Sequence, residues 1–217
     1  MIYGKAINDL PEHKTQIVEY YEDCNGKRKR RVIWQCPYYT TWFNMLTRCY
    51  SKIELDRHPT YEQKFVCKEW LIFSNFKMWM ESQDWEGKQL DKDILFPGNL
   101  EYCPEKCVFV SQEVNKFILE KTKIRDLPLG VTFHKKKMKY ISTISCGRNR
   151  DIKHLGTFTD PSLAHLAWAT EKLQLALRVA EKEEDERVAL SLIDKYTKIY
   201  EAAKENVKGG SSEKAVF

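Results

Sequence analysis

LDKDILFPGNLEYCPEKCVFVSQEVN, residues 90–115, is the stretch whose reading decides the fold. It carries Asp91 and Asp93 at the end of one extended piece, turns at Pro97-Gly98-Asn99, resumes in the apolar run Val108-Phe109-Val110 and continues past Ser111. Pro-Gly-Asn is turn chemistry, and a short β-branched and aromatic run is strand chemistry. Ser111 followed by Glu113 and Val114 reads as a helix N-terminus. The order is therefore strand, turn, strand, helix. Two residues apart on a strand, Asp91 and Asp93 are expected to point their carboxylates to one face, where hard oxygen donors suit Mg²⁺ beside a phosphate oxygen.

Upstream, residues 34–85 are rich in aromatic side chains. Trp42, Phe43, Met45, Leu46 and Tyr50 recur at helical spacing, as do Trp70, Phe73, Phe76, Trp79 and Met80. Two amphipathic helices with their rings in a core are predicted. His58-Pro59 falls in a polar loop between them, a place from which a histidine reaches a reacting group only if the loop folds back.

Downstream the period changes to two. Val131 and Phe133 alternate with Thr132 and His134, and Tyr140, Ser142 and Ile144 alternate with Ile141, Thr143 and Ser145. That is the pattern of half-buried strands. Polar turns are expected at 134–139 and 147–150. Asp160-Pro161 reads as an N-cap with proline at the first helical position, opening a helix that packs through Leu163, Leu166, Ala167, Thr170, Leu173 and Leu177. From Glu171 to Lys208 the chain lacks proline and glycine. One long helix, or a helical hairpin broken near 182–186, is predicted, with Leu190, Ile193, Tyr196, Thr197 and Tyr200 as its apolar stripe. Gly209-Gly210 is expected to stop it and begin a disordered tail over 209–217.

Charge is unevenly placed. The 217 residues carry a net +5, whereas 121–153 alone hold ten basic and two acidic residues. Lys135, Lys136, Lys137, Lys139, Arg148, Arg150 and Lys153 decorate the turns and strands there. A second cluster, Lys27-Arg28-Lys29-Arg30-Arg31, follows Asn25-Gly26 and reads as a hairpin tip between Ile17–Tyr21 and Val32–Trp34. Adjacent cations repel one another unless an anion is near, so both clusters point to a phosphate backbone.

No apolar stretch is long enough to span a bilayer and no signal peptide opens the sequence, so a cytoplasmic protein without a membrane partner is expected. Seven cysteines, at 24, 36, 49, 67, 103, 107 and 146, are odd in number and scattered. Reduced thiols fit that pattern better than a disulfide frame. Cys67, Cys103 and Cys107 lack the paired Cys-x-x-Cys spacing of a zinc site, and zinc is not expected.

Together with YTTWFNMLTRCY (39–50) and VCKEWLIFSNFKMWM (66–80), the opening stretch resembles the HNH endonuclease family of phages and homing elements. The resemblance implies a ββα-metal hairpin that clasps Mg²⁺ or Mn²⁺ against a scissile phosphate. It places the family's Asp at Asp91, its catalytic His at Lys92, its loop-pinning Asn at Cys107 and its last ligand at Asn115. The catalytic set it implies is Asp91, Lys92 and Asp93, with Asp91 and Asn115 as metal ligands. Residues 127–177 in turn resemble the integrase-type DNA-binding domain of ethylene-response factors, three strands and a helix.

The fold class expected is α+β: an HNH-like ββα unit, a three-stranded antiparallel sheet with one packed helix, and a C-terminal helical extension. The segments read as a basic hairpin (1–33), the HNH-like domain (34–122), the integrase-like domain (123–180), a helix (181–208) and a tail (209–217). A general base working near neutral pH needs a proton affinity close to that pH, which histidine has and lysine lacks. Two functions follow. Either the scaffold grips DNA or structured RNA, as in a ribonucleoprotein such as the ribosome, or it remains a divalent-metal-dependent endonuclease that cleaves DNA. The C-terminal stripe packs on the body or on a protein partner.

Overall fold

In a computed structural model, which describes residues 1–118, 126–146 and 151–212, the chain is mixed α+β and divides into two units, Met1–Ile118 and Leu119–Phe217. The first unit begins with a two-stranded antiparallel ribbon, β1 (Gln16–Glu22) and β2 (Arg28–Gln35). Its turn is made about four residues earlier than the 27–31 tip that the sequence suggested. Asp23 accepts hydrogen bonds through Oδ1 from the backbone N–H groups of Asn25 (2.9 Å) and Lys27 (3.0 Å), and Gly26 takes φ +71°. An Asx turn closed by a glycine occupies 23–27, so only Lys27 of the five cations lies in the turn. Arg28 to Arg31 are strand residues.

The core of this unit comes from α1 (Pro37–Tyr50) and α3 (Phe73–Glu81), with α2 (Lys52–Arg57) between them. Pro37 fixes φ at the first turn of α1, where its missing N–H leaves nothing unpaired. Trp42, Met45, Leu46 and Cys49 line one face of α1, and Phe73, Phe76 and Met80 one face of α3. Trp70 sits in a short 3-10 turn before α3, and its carbonyl accepts the Trp42 indole N–H at 2.6 Å. Phe43 departs from the expected core face: it is partly exposed and stacks on Tyr39. The short β3 (Phe65–Val66) runs parallel to β5 (Glu101–Tyr102).

β4 (Gln89–Asp91) pairs antiparallel with β6 (Val108–Val110) in the register Gln89↔Val110, Leu90↔Phe109, Asp91↔Val108. α4 (Gln112–Ile118) follows, and the Ser111 hydroxyl accepts the Val114 N–H at 3.1 Å. Trp79 of α3 stacks on Phe109, 5.6 Å between ring centroids, which ties β6 to the helical core.

The second unit is a three-stranded antiparallel sheet of β7 (Val131–His134), β8 (Lys139–Cys146) and β9 (Asp151–Phe158), with α5 (Pro161–Ala180) against it. The side chain of Asp160 caps α5 by accepting the Ser162 N–H at 2.7 Å. The buried face of α5 is only in part the expected stripe: Leu166 packs against the core, but the fully buried positions lie elsewhere. Leu163 and Leu177 are each 40% exposed, while Ala164, Trp168, Ala169, Ala176 and Ala180 are buried. A helix pressed between a sheet and a second helix favours small residues where backbones approach and one large ring where they diverge.

Of the two C-terminal alternatives, the helical hairpin is found: α6 (Glu186–Ser212) packs beside α5 after a break at 181–185, where Asp185 accepts the Arg187 N–H at 2.9 Å. Its stripe is Val188, Leu192, Tyr196 and Ala203, with Leu190 59% exposed. The helix also runs through Gly209 and Gly210 to Ser212. A glycine in a helix costs only about 1 kcal/mol relative to alanine, and two at the end do not stop one already formed. Residues 213–217 of the expected tail lie outside the described residues.

Gly130 supplies a test of the second unit. It has φ +75°, and a Cβ there would fall 2.0 Å from Cδ1 of the buried Trp168. Gly130→Ala combines a left-handed backbone with displacement of that ring. It is expected to destabilise the unit by about 2–4 kcal/mol, read by urea unfolding.

Candidate nucleic-acid interface

Cross-strand partners share a face of a ribbon, and alternate residues share it along a strand. One face of β1–β2 therefore carries Val18, Tyr20 and Glu22 with Val32, Arg30 and Arg28; the other carries Glu19 and Tyr21 with Arg31 and Lys29. The second face is largely neutralised from within. Arg31 pairs with Glu19 at 2.6 Å and Lys29 with Asp23 at 2.8 Å, and the Lys29 ammonium is the leading reason the Asp23 carboxyl lies below the usual carboxylate range. On the first face, Arg28 lies over the Tyr20 ring, 4.5 Å from its centroid. Among the described residues neither Arg28 nor Arg30 has an ion-pair partner.

The segment after β4 is held by three side chains. Asp91 Oδ1 accepts the N–H groups of Asp93 (2.8 Å) and Ile94 (2.7 Å). This local capture ends the strand at Asp91, so the strand alternation expected to align Asp91 with Asp93 does not reach Asp93. Asn99 donates through Nδ2 to the carbonyls of Lys92 (2.9 Å) and Glu101 (2.7 Å) and accepts the Glu101 N–H at 3.1 Å. Lys92 is 2% exposed; its ammonium donates to Asp93 and, at 2.5 Å, to the Asn99 carbonyl. Asn99, read from sequence only as a turn residue, is thus the side chain that pins the loop. An asparagine side chain offers two N–H donors and a separate carbonyl acceptor, enough to bridge three backbone groups at once, which was the available signal. Cys107 is buried, and burial pushes its thiol far above the ordinary cysteine range.

Asn115 of α4 donates to the Gln89 side chain. Gln89 and Asp91 lie two apart on β4 and share a face, so Asn115 stands on the Asp91 side of the hairpin. Asp91 Oδ2 and Asn115 Oδ1 have no protein partner among the described residues. No group of three or more His, Cys, Asp or Glu side chains that could hold a metal ion occurs among them. His58 does not fold back: it lies 3.5 Å from Glu54 and edge-on to Tyr61.

Two further cations escaped the sequence reading. Burial is the main cause holding Lys64 below the ordinary lysine range, with the neighbouring Lys92 charge next and Asp93 acting against it. Arg48 lies beside Tyr102, whose ring faces Lys92. Lys64 and Lys92 thus meet beside Asp93, while Arg48, Lys64 and Lys92 all lie close enough to Cys49 to act on its thiol, a grouping that sequence separation conceals.

In the second unit Lys135, Lys136 and Lys137 sit in the exposed turn after β7, and Lys139 opens β8. Lys153 belongs elsewhere. It pairs with Ile144 on the helix-covered face and makes a 3.0 Å ion pair with Glu171 of α5. Arg148 and Arg150 lie outside the described residues.

The six cysteines whose side chains are described are free thiols. Burial, the largest cause in each, pushes Cys49 and Cys103 up to about 11. Such thiols hold only about one part in a thousand of thiolate near pH 8. Iodoacetamide at that pH is expected to modify exposed Cys24 while Cys49, Cys103 and Cys107 stay unmodified, by peptide mass spectrometry. A folded pKa above the unfolded value of about 8.5 gives stability that is present below that pH and lost as pH rises toward 11. Unit 1 should accordingly melt earlier across that window.

Compared with known proteins, the chain matches no family model, no curated protein and no solved structure. No helix among the described residues is long and apolar enough to cross a membrane.

Proposed function

We propose that this chain is a nucleic-acid-binding protein built on an HNH-like scaffold whose cleavage centre is degenerate. The observation that carries the binding half is the exposed β1–β2 ribbon, where Arg28, Lys29, Arg30 and Arg31 follow one another and, among the described residues, only two of the four find acid partners. Lys135, Lys136, Lys137 and Lys139 offer a second exposed group. Cations held on strands and tight turns lose little entropy on meeting phosphates, so they favour a polyanion over solvent.

The degenerate half is supported by Lys92. At the position that the resemblance gives to the general base stands a buried lysine whose ammonium donates to Asp93 and to the Asn99 carbonyl. A group that clamps its loop in this way does not take a proton from water. The loop-pinning role that the resemblance places at Cys107 is filled here by Asn99.

A second reading, a metal-dependent endonuclease, is favoured by Asp91 and Asn115. A carboxylate and an amide oxygen on one side of the hairpin suit Mg²⁺, which needs only one or two carboxylates and keeps several waters. When bound, the ion would polarise a phosphate oxygen and acidify a water. Asp91 and Asn115 would hold it, and Lys92 would remain a loop clamp and phosphate partner.

Two assays separate the readings. Gel shifts at low salt with duplex DNA and duplex RNA should show binding, and supercoiled plasmid with Mg²⁺ or Mn²⁺ should stay intact. Metal-dependent nicking that Asp91→Ala abolishes would instead establish the nuclease.

A further inference from the structure

We infer that the β1–β2 ribbon enters the major groove of duplex DNA with its Tyr20, Arg28 and Arg30 face toward the base edges. The inference rests on the nucleic-acid reading and adds the target class, the element and the side of it that binds.

An isolated two-stranded hairpin is marginally stable in water. This one leaves Tyr20, Val32, Ile33 and Trp34 more than 40% exposed, so neither face is sealed by the described residues of its own unit. The faces differ in charge. The Glu19, Lys29 and Arg31 face is paired within itself and carries two carboxylates at or beside it, which a phosphate array repels. The opposite face carries one carboxylate, Glu22, across from Arg28 at the turn end, yet among the described residues neither Arg28 nor Arg30 is ion-paired, so both guanidinium groups stay available. Tyr20 supports Arg28 as a plane, which keeps the guanidinium fork ordered before any ligand arrives. Arginine forks match guanine O6 and N7, and the neighbouring Val18 and Val32 offer apolar contact to thymine methyls.

Shape selects the nucleic acid. Strands of seven and eight residues extend about 25 Å at roughly 3.3 Å per residue, and two of them side by side fit a groove about 12 Å wide. The major groove of A-form RNA is too deep and narrow to admit side chains on such a ribbon.

The test uses the full chain, a mixed-sequence DNA duplex of about 30 base pairs and the matching RNA duplex. Arg28→Ala with Arg30→Ala is compared with Lys29→Ala with Arg31→Ala, which removes equal charge from the other face. The first pair is expected to weaken DNA binding about 30-fold or more and to remove the protection of guanine N7 from dimethyl sulfate; the second should stay within about 5-fold. Arg28→Lys with Arg30→Lys, which keeps charge and fold, should also lose N7 protection while leaving the salt dependence unchanged. Equal losses for the two alanine pairs, or wild-type binding without N7 protection, overturns the groove assignment and leaves the nucleic-acid reading standing. Absence of binding to either duplex ends both.

Discussion

Trp70→Ala is expected to destabilise the first unit by about 3–5 kcal/mol, the range for removing a fully buried large ring. Trp70 has no exposed surface; its ring lies edge-on to Phe76 at 5.1 Å and 4.4 Å from Trp79, which in turn stacks on Phe109 of β6. The ring therefore connects the helical core to the β4–β6 hairpin that carries Asp91 and leads into α4 with Asn115. Its indole Nε1 is buried without a hydrogen-bond partner. Trp70→Phe removes that unpaired donor along with part of the ring, and should cost well under half as much. Urea unfolding of the two variants, with exposed Met78→Ala as a control within about 0.5 kcal/mol, reads the difference. Equal losses for the Ala and Phe variants would contradict the role given to the ring.

Asn99→Ala is expected to cost about 3 kcal/mol. Three hydrogen bonds disappear at once, each contributing about 1 kcal/mol net, and the carbonyls of Lys92 and Glu101 are left inside the loop without their donor. Asn99→Asp keeps the acceptor for the Glu101 N–H but supplies no donor, so it should recover only about a third of the loss. Cys107→Ala removes one buried sulfur and should cost about 1 kcal/mol. A larger effect at Cys107 than at Asn99 would return the loop-pinning role to the second strand.

How much of this was legible in the sequence depended on whether local chemistry or tertiary contact decided the outcome. The strand–turn–strand–helix order of 90–115 was legible because turn residues, a β-branched run and a capping serine act within a few residues of each other. The cap at Asp160 was legible for the same reason. The hairpin tip was misplaced because five cations attract attention, whereas Asp23 sets the turn by accepting two backbone hydrogen bonds. The buried face of α5 was misread because leucine is the more hydrophobic residue, yet its fully buried positions are alanines and one tryptophan; on α6 Tyr196 was read correctly, while the buried leucine is Leu192 rather than Leu190. The partner of Lys153, and the gathering of Arg48 with Lys64, depend on residues many positions away that no period reveals. Asn99 fell between these cases: its turn propensity was visible, and its second role as a bracket was not.

The most direct measurement is a fluorescence-anisotropy titration of labelled duplex with the full chain at several salt concentrations. Binding should be present at low salt, and log K should fall linearly with log salt at a slope of about −4 or steeper, as expected when four or more cations displace counterions. No binding to DNA or RNA at low salt, or an affinity that salt leaves unchanged, would contradict the claim that these cationic surfaces grip a polyanion.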